Sequence, residues 1–476
     1  MTTCRNFIDG KWSSHSGCYR DVRNKYSQQA IAEVTEADMH DVDAAVASAL
    51  GAFERGSIGV RRRIEIFSRA ADLLGGRAAE FARWIVAEGG QTVAEANREV
   101  TRAVEVLRLC AEEAVRMAGE LIPVEGAAGG AGKLAWTVRH PLGVVCAIVP
   151  FNSPLNTPLH KIGPALAAGN AVICKPASAT PVSASLLAEI FIEAGLPPGW
   201  LNVVNGPGQS VGDLLMRDQR IAFYHFTGST EVGRRLSQHL GLRRSSLELG
   251  SIAATIICKD ANLGRAIEET ARASFAKAGQ VCTSTQVIFV EAPVIDEVCD
   301  GISAAARRLR IGDPAESTTD IGPLISTGEA ERVETWVAQA RSGGAKVLSG
   351  GRRQGASLEP TVLREPAPDS DVVCREVFGP VVSVMPIATI DEAIQKYNET
   401  GYGLSAGIFS SDIGTAFKAA SRLRTGTLHV NAPSSSRLDL LPFGGVRNSG
   451  HGKEGPKYAI REMTEERLIV LHNVVQ

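Results

Sequence analysis

The chain lacks any strong imbalance of charge. Its 50 Lys and Arg residues face 52 Asp and Glu residues, so the formal net charge is only -2 over 476 residues. So small an imbalance provides no general field that would attract nucleic acid or an anionic membrane surface. The sequence therefore predicts neither a nucleic-acid partner nor a membrane partner.

Long apolar runs are also absent from the sequence. The most apolar stretch, residues 142–151, contains Pro150 and is about half as long as the ~20 apolar residues that a transmembrane helix needs. The N-terminus has no apolar signal core. We interpret residues 142–151 as containing a buried strand and expect a cytoplasmic protein.

Paired cysteines are the third absence. None of the nine cysteines forms a C-x-x-C pair, and their spacing does not suit a zinc site. An odd number of scattered cysteines in a chain of this size is typical of reduced thiols. We therefore expect no structural disulfides and no metal.

Helical and strand periodicities divide the chain into two α/β runs. The first ~120 residues have helical spacing at 41–53, 61–87 and 98–119, and a Gly-rich excursion follows at 125–132. Strand and helix then alternate five times, which predicts a doubly wound parallel sheet. The predicted strands are 144–149, 171–174, 201–205, 221–226 and 245–249, and the predicted helices are 154–168, 181–195, 211–216 and 229–240.

A second α/β run is predicted from about residue 263. Its helices are expected at 263–277, 294–309, 327–342, 390–397 and 413–424, and its strands at 286–290, 372–373, 381–386 and 427–431. Residues 465–474 read as a terminal strand. Two α/β lobes with a cleft between them are the architecture that the pattern favours.

Cys282 and Glu248 are the residues best placed for covalent chemistry. Cys282 lies in the small-residue loop Gly-Gln-Val-Cys-Thr-Ser just after a predicted helix, which is a plausible seat for a nucleophile. Most cysteines, however, are simply small buried hydrophobes. Glu248 ends a predicted strand and could serve as a general base if that strand ends at the cleft. The alternative is an outward-facing glutamate.

Other polar residues follow the same predicted strands. Asn152 comes after the first strand and Lys175 ends the second, although a turn residue and a solvated lysine are the simpler interpretations. The stretch FTGSTEVG at 226–233 opens a helix with glycines five apart, which alone is a weak dinucleotide signal. Because strands of one parallel sheet end at one edge, these residues should lie near each other.

In this order and spacing, the motifs strongly resemble those of the aldehyde dehydrogenase superfamily. The resemblance covers about 430 residues. The matching stretches are PFNSPL (150–155), GNAVICKPA (169–177), FTGSTEVG (226–233), LELG (247–250), GQVCT (279–283), EVFGP (376–380) and PFGGVRNSGHGKEG (442–455).

The resemblance implies a hydrolytic, NAD(P)-dependent oxidation of an aldehyde to a carboxylic acid. Cys282 would attack the aldehyde as a thiolate, and Asn152 with the Cys282 main-chain N–H would hold the oxyanion. Hydride transfer would leave a thioester, and Glu248 would activate water to hydrolyse it. Lys161 matches a lysine credited with proton relay, although a structural ion pair is an equal alternative.

The resemblance also implies cofactor residues and a division into domains. Lys175 and Glu376 would hold the cofactor ribose, and Phe378 would place the nicotinamide. The further cofactor-binding candidates are Phe151, Ser178, Gly228, Ser229, Gly233 and Leu249. The expected units are a dinucleotide-binding domain (1–121 and 141–249), a catalytic domain (250–440) and an oligomerisation element (122–140 and 456–476) of a homodimer or homotetramer.

Four residues depart from the commonest pattern of the family. Phe151 replaces a frequent Trp, and Ser251 replaces a second Gly after Glu248. Ser178 stands where NAD-preferring members often carry Glu, so we expect NADP to be preferred and NAD tolerated. Val281 replaces an Arg that many relatives acting on phosphorylated or lactaldehyde-like substrates carry before the nucleophile.

The substrate signals conflict. The segment around Asn156 and His160 is otherwise similar to the lactaldehyde, phosphonoacetaldehyde and non-phosphorylating glyceraldehyde-3-phosphate dehydrogenases. Together with Arg437, these residues predict a short polar or anionic aldehyde; structural hydrogen bonds are the alternative. Two other functions compete: a CoA-acylating dehydrogenase, against which Glu248 argues, and a non-catalytic binding or structural relative.

Overall fold

The computed structural model describes residues 2–13, 15 and 17–473. Its strands are β1 (Thr2–Cys4), β2 (Asn6–Ile8), β3 (Lys11–Ser13), β4 (Tyr19–Arg23), β5 (Ala30–Thr35), β6 (Leu121–Ile122), β7 (Lys133–Pro141), β8 (Val144–Ile148), β9 (Ala171–Lys175), β10 (Leu201–Val203), β11 (Phe223–Thr227), β12 (Arg244–Glu248), β13 (Ala254–Ile257), β14 (Val287–Glu291), β15 (Lys346–Ser349), β16 (Arg353–Gln354), β17 (Ser357–Leu358), β18 (Thr361–Arg364), β19 (Val381–Ile387), β20 (Ser405–Phe409), β21 (Thr427–Val430), β22 (Gly450–His451) and β23 (Thr464–His472). Its α-helices are α1 (Met39–Glu54), α2 (Val60–Gly76), α3 (Ala78–Gly89), α4 (Val93–Val115), α5 (Asn156–Ala168), α6 (Val182–Glu193), α7 (Asp213–Arg217), α8 (Thr230–Leu240), α9 (Leu263–Phe275), α10 (Ile295–Arg308), α11 (Thr327–Ser342), α12 (Asp371–Cys374), α13 (Ile390–Glu399), α14 (Ile413–Arg422) and α15 (Pro456–Glu462).

The first large sheet has the order β22-β12-β11-β8-β9-β10-β2-β3. Its five central strands, from β12 to β10, are mutually parallel. The chain moves outward from β8 through β9 to β10 and then returns to the other side of β8 for β11 and β12. The strand order therefore reverses between β8 and β11, and in such sheets ligands bind at the carboxyl ends of the strands beside this reversal. The predicted doubly wound sheet is confirmed.

The second large sheet has the order β15-β18-β19-β14-β13-β20-β21. All neighbours are parallel except the edge strand β15, which runs antiparallel to β18. Separate buried apolar clusters pack on its two faces. The helices α9, α10 and α11 supply much of one cluster.

A third sheet joins distant parts of the chain. β7 pairs antiparallel with β23 from Lys133↔His472 to Pro141↔Thr464, and β6 pairs with the other edge of β7. Apolar side chains on this sheet stay exposed, among them Leu121 at 73% and Leu468 at 55%. The predicted terminal strand ends at His472 among the described residues, and Val474 lies outside them.

Several predicted elements are wrong or incomplete. Residues 372–373, predicted as a strand, lie in the short helix α12, because a two-residue apolar pair does not distinguish the two. The predicted helix 61–87 is divided at Arg77, whose φ of -102° and ψ of 17° separate α2 from α3. The sequence also missed β13, β18, β20 and the strands before α1.

β20 shows why one strand was missed. The stretch 405–409 has little strand signal because it contains Gly407, which lies where a Cβ would come within 2.5 Å of the Ala432 carbonyl oxygen. Within residues 2–13, 15 and 17–473, none of the helices has the length and apolar character needed to cross a bilayer.

Candidate active site

A cavity of about 1320 Å³ opens at the reversal point of the first sheet. Residues that follow β8, β11 and β12 form one part of its wall, as the parallel topology requires. The second α/β unit contributes the loop after α9 and the segment 375–378. The cavity therefore brings together Asn152, Gly228, Glu248, Cys282 and Phe378 from five separate parts of the chain.

Cys282 lies in this cavity after an unusual turn. Lys277, Ala278 and Gly279 have φ values of 52°, 52° and 71°, so three consecutive residues are left-handed. A Cβ on Gly279 would lie 2.0 Å from the Gly379 carbonyl oxygen, so this position requires glycine. Cys282 is partly exposed, whereas Cys146 and Cys174 are fully buried in β8 and β9.

Burial dominates the electrostatics of the Cys282 thiol. Loss of solvation raises its pKa to about 12, Arg437 opposes this shift, and the carboxylates of Glu248 and Glu376 reinforce it. The resting group is therefore a thiol, and a base must remove its proton before it can act as a nucleophile.

The Asn152 side chain is held beside the nucleophile loop. Its Nδ2 donates a hydrogen bond to the main-chain oxygen of Gln280 at 2.9 Å. An amide carries two N–H donors, so one donor remains for a ligand in the cavity. The main-chain carbonyl oxygen of Asn152 accepts hydrogen bonds from Gln91 Nε2 at 3.2 Å and from Lys277 Nζ at 3.1 Å.

Glu248 is the last residue of β12 and is only 3% exposed. Neither carboxyl oxygen has a hydrogen-bond partner among the described residues. Burial raises its pKa well above the ordinary value, and the negative charge of Glu454 adds to the shift. This is the environment of a protonated carboxyl group that can be converted into a general base.

Glu454 was not singled out from the sequence, although it lies in the PFGG…GHGKEG motif. It accepts hydrogen bonds from Lys161 Nζ at 2.7 Å and from an Arg437 Nη at 2.9 Å. These cations hold its pKa well below the usual range despite complete burial. Lys161 also donates to Thr227 Oγ1 at 2.7 Å, so it connects the end of β11 to Glu454.

Two aromatic rings and a carboxylate mark another part of the cavity wall. Phe151 and Phe378 meet edge to face with their centroids 5.8 Å apart, and Phe378 has a left-handed φ of 48°. Such a conformation is strained for a bulky residue and persists only where the surroundings enforce it. Glu376 accepts a hydrogen bond from the Ser251 N–H at 2.9 Å, and burial raises its pKa to about 7.

The remaining cofactor candidates occupy two places. Gly228, Ser229 and Leu249 line the cavity, whereas Gly233 packs beneath it, where a Cβ would lie 2.3 Å from a Leu249 methyl carbon. Lys175, at the end of β9, is 4% exposed and has no anionic partner within hydrogen-bond distance among the described residues.

Ser178 lies in the turn after β9. Its hydroxyl donates to the Gly206 carbonyl oxygen at 2.8 Å, and its own carbonyl oxygen accepts from an Arg20 Nη at 3.3 Å. Arg20 could not be identified from the sequence, because 158 residues separate it from Ser178.

The expected substrate residues separate into two kinds. Arg437 lines the cavity, but Asn156 and His160 are 3% and 2% exposed and do not. Asn156 Nδ2 donates to the main-chain carbonyl oxygen of Glu99 at 3.1 Å, and His160 Nε2 lies 3.0 Å from Asp439 Oδ1. The expectation that Asn156 and His160 contact substrate is therefore corrected, since both side chains are buried, bind protein groups and do not line the cavity.

Comparison of the sequence with known proteins identifies the family of this chain. Residues 12–469 match the profile of the Aldehyde dehydrogenase family. The chain belongs to the aldehyde dehydrogenase family. It is 46% identical over 466 residues to the 3-sulfolactaldehyde dehydrogenase of Priestia megaterium, with 98% of this chain and 97% of that protein covered.

Solved structures of the family have the same fold. The NADP-dependent glyceraldehyde-3-phosphate dehydrogenase of Bacillus halodurans, complexed with NADP, aligns at a TM-score of 0.97 and 33% identity over 99% of this chain and all of that one. Aldehyde dehydrogenase 21 of Physcomitrella patens, in complex with the product succinate, aligns at 0.96 and 34% identity over 99% of both chains. The predicted family, the α/β fold and an NAD(P)-dependent aldehyde dehydrogenase are confirmed.

Proposed function

We propose that this dehydrogenase oxidises a short anionic aldehyde through a thioester on Cys282 and prefers NADP. The observation that carries the catalytic part is the meeting of Cys282, Asn152 and Glu248 in one cavity. The substrate class is supported by arginines in the same cavity and by the similarity to a 3-sulfolactaldehyde dehydrogenase.

The Cys282 thiol would pass its proton to a water molecule in the cavity, and the thiolate sulfur would then attack the aldehyde carbon. Negative charge then develops on the aldehyde oxygen, and the free N–H of the Asn152 amide with the Cys282 main-chain N–H would stabilise it. The bound nicotinamide cofactor supplies the acceptor for the hydride that leaves this carbon. Asn152 is already oriented by its bond to Gln280, so little reorganisation is needed when charge develops.

Glu248 would then activate the water that hydrolyses the thioester. Its free carboxyl oxygens can accept a proton from water once the group is ionised. Glu454 stays ionised beside it and is bound to Lys161, so Lys161 and Glu454 would set the proton affinity of Glu248. A CoA-acylating enzyme would not need this base, so thioester release that depends on CoA would contradict the assignment.

The cofactor would bind to residues at the carboxyl ends of β9 and β11 and in the segment 376–378. Lys175 is a buried cation without an anionic partner in the described chain, and burial lowers its pKa to about 8. Lys175 and Glu376 would bind the ribose groups, and Phe378 with Phe151 would bracket the nicotinamide. The cleft after β11 would receive the diphosphate through Gly228 and Ser229, at the start of α8.

NADP preference depends on the surroundings of Ser178. A glutamate at this position would repel a 2′-phosphate, whereas Ser178 carries no charge, its main chain binds Arg20, and Lys175 precedes it by three residues. The hydroxyl would have to turn away from Gly206 to donate to the phosphate. We expect kcat/KM to favour NADP and Ser178→Glu to shift the ratio toward NAD. A wild-type preference for NAD of tenfold or more would contradict the proposal.

The anionic substrate group is assigned to Arg437. One of its Nη groups binds Glu454, while the other, Nη1, has no hydrogen-bond partner within the described chain. Its guanidinium is fixed 4.1 Å from the Phe443 ring centroid. Arg98 and Arg272 also line the cavity, and neither forms an ion pair among the described residues. Together these cations favour a sulfonate or carboxylate and disfavour a long apolar chain.

A substrate panel tests this assignment. We expect kcat/KM to be higher for 3-sulfolactaldehyde and succinate semialdehyde than for uncharged aldehydes of the same length. Arg437→Leu should lower it ~10–150-fold for the anionic substrates, which is the effect of losing a hydrogen bond to a charged group. For lactaldehyde the same variant should lower kcat/KM less than for the anionic substrates, because only the effects of Arg437 on Cys282 and Glu454 are then lost. Equal losses for both substrate types would show that Arg437 acts through Glu454 instead.

The third sheet is proposed as the oligomerisation element, with domain limits at 1–121 and 141–249, 250–440, and 122–140 with 456–476. Its exposed apolar residues Leu121 and Leu468 support this assignment. Light scattering should find a dimer or tetramer that Leu468→Glu weakens. A monomeric wild type would contradict it.

A further inference from the structure

Lys277 is a cation in the active-site cavity whose donors are all used by the protein. Its ammonium group donates to Glu99 Oε2 at 2.9 Å, to Ser153 Oγ at 2.8 Å and to the main-chain carbonyl oxygen of Asn152 at 3.1 Å. An ammonium has three N–H donors, and here each has an acceptor. Lys277 therefore has no donor left for the anionic group of a substrate.

The backbone of Lys277 is also held from α4. Its main-chain N–H donates to Glu95 Oε1 at 2.6 Å, and the other Glu95 oxygen accepts from the N–H of Thr92, which caps α4. Lys277 and Ala278 both have left-handed backbones, which cost roughly 1–2 kcal/mol for each residue that is not glycine. Two carboxylates one helical turn apart on α4 thus stabilise a strained turn that begins five residues before the nucleophile.

We propose that Lys277, Glu95 and Glu99, here called the Lys277 clamp, are positioning residues for catalysis. This inference rests on the proposed roles of Asn152 and Cys282. The clamp binds the main chain of Asn152 directly and fixes the loop that carries Cys282. The oxyanion donor and the nucleophile are then both held relative to the same helix, α4.

The contacts of Glu99 support this role. Its Oε1 accepts the main-chain N–H groups of Leu155 and Asn156 at 3.0 and 3.1 Å, so it also ties the segment after Asn152 to α4. Lys277 and these hydrogen bonds keep its pKa below the ordinary value although it is buried. The Glu99 carboxylate is thus ionised at neutral pH and can hold Lys277.

The test compares Lys277→Met with the double variant Lys277→Met/Glu99→Gln. The single variant leaves a buried carboxylate unpaired and should lower Tm, whereas the double variant removes both charges and should recover Tm. If the clamp positions the reacting groups, both variants should lose kcat about 10–100-fold with the KM for aldehyde changed less than about threefold. Lys277→Arg should recover part of kcat.

A second readout does not require aldehyde oxidation, so the clamp can fail separately from the proposed function. A loosened loop should expose the Cys282 thiol and lower its raised pKa, so iodoacetamide should alkylate Cys282 at least about threefold faster in the double variant. Alkylation of the exposed Cys374 is the internal reference. If wild type fails to oxidise any aldehyde, the proposed function is wrong, whatever the alkylation rates show.

The matched control is Arg353→Met. Arg353 pairs with Glu334 at 2.8 Å, and its side chain is 22% exposed compared with 18% for Lys277, but it does not line the cavity. This variant should keep kcat and the alkylation rate. Recovery of both Tm and kcat in the double variant would overturn the clamp and leave a purely structural ion pair. A raised KM for anionic aldehydes with unchanged kcat would instead make Lys277 a substrate ligand.

Discussion

Replacing Asn152 by alanine removes one proposed oxyanion donor and one ground-state hydrogen bond. The lost oxyanion donor should lower kcat by ~100–1,000-fold, or about 2.7–4 kcal/mol of transition-state stabilisation. The hydrogen bond from Nδ2 to Gln280 at 2.9 Å contributes about 0.5–1.5 kcal/mol to the folded state. In a chain of this length, that loss should lower Tm by about 2 °C or less. The effect on rate should therefore far exceed the effect on stability.

The assay is the burst of reduced cofactor at 340 nm, measured in a Glu248→Gln background so that acylation is observed alone. We expect a slower burst with an unchanged dissociation constant for the cofactor. Asn398→Ala is a matched control, because Asn398 Nδ2 also donates to a main-chain oxygen, that of Arg422 at 3.0 Å, but lies outside the cavity. A burst slowed less than about tenfold by Asn152→Ala would refute the reasoning.

Further predictions concern the thiol and the two buried carboxyl groups. Cys282→Ala should abolish oxidation in the 340 nm assay while Cys374→Ala does not; comparable turnover in both would contradict the mechanism. Glu248→Gln should keep the burst but stall, with an acyl adduct on Cys282 visible by mass spectrometry; loss of the burst would mean that Glu248 activates the thiol. Because its pKa is raised, Glu248 is protonated at low pH, and thioester hydrolysis in wild type should increase as pH rises through that pKa. Glu454→Gln removes the like charge, so the midpoint of this pH profile should move to lower pH; an upward shift would show that Glu454 does not set it.

The sequence was sufficient for the parts of the site that depend on strand ends. Asn152, Gly228 and Glu248 follow or end β8, β11 and β12, and parallel strands necessarily bring such residues to one edge. The apolar strands were recognisable because both of their faces are buried. Local pattern and topology together are thus enough to predict which residues form this side of the cavity.

The remaining contacts depend on how segments distant in sequence pack, which periodicity does not reveal. Lys161 meets Glu454 across 293 positions, and His160 meets Asp439 across 279. The sequence predicts Asn156 and His160 as substrate residues, because it does not reveal that both side chains are buried against Glu99 and Asp439. Lys277 was not singled out for the same reason, since its three acceptors belong to α4 and to the segment after β8.

The protonation states of Glu248 and Glu454 show what three-dimensional packing adds. Both carboxyl groups are buried, at 3% exposure each, and burial alone would raise the pKa of both. Lys161 and Arg437 each place a nitrogen within 3 Å of Glu454, and Glu248 has no such partner among the described residues. The cations therefore ionise Glu454, and its charge in turn favours the proton on Glu248. Both glutamates lie in family motifs, but the positions of two cations decide which one holds a proton at rest and can become the base.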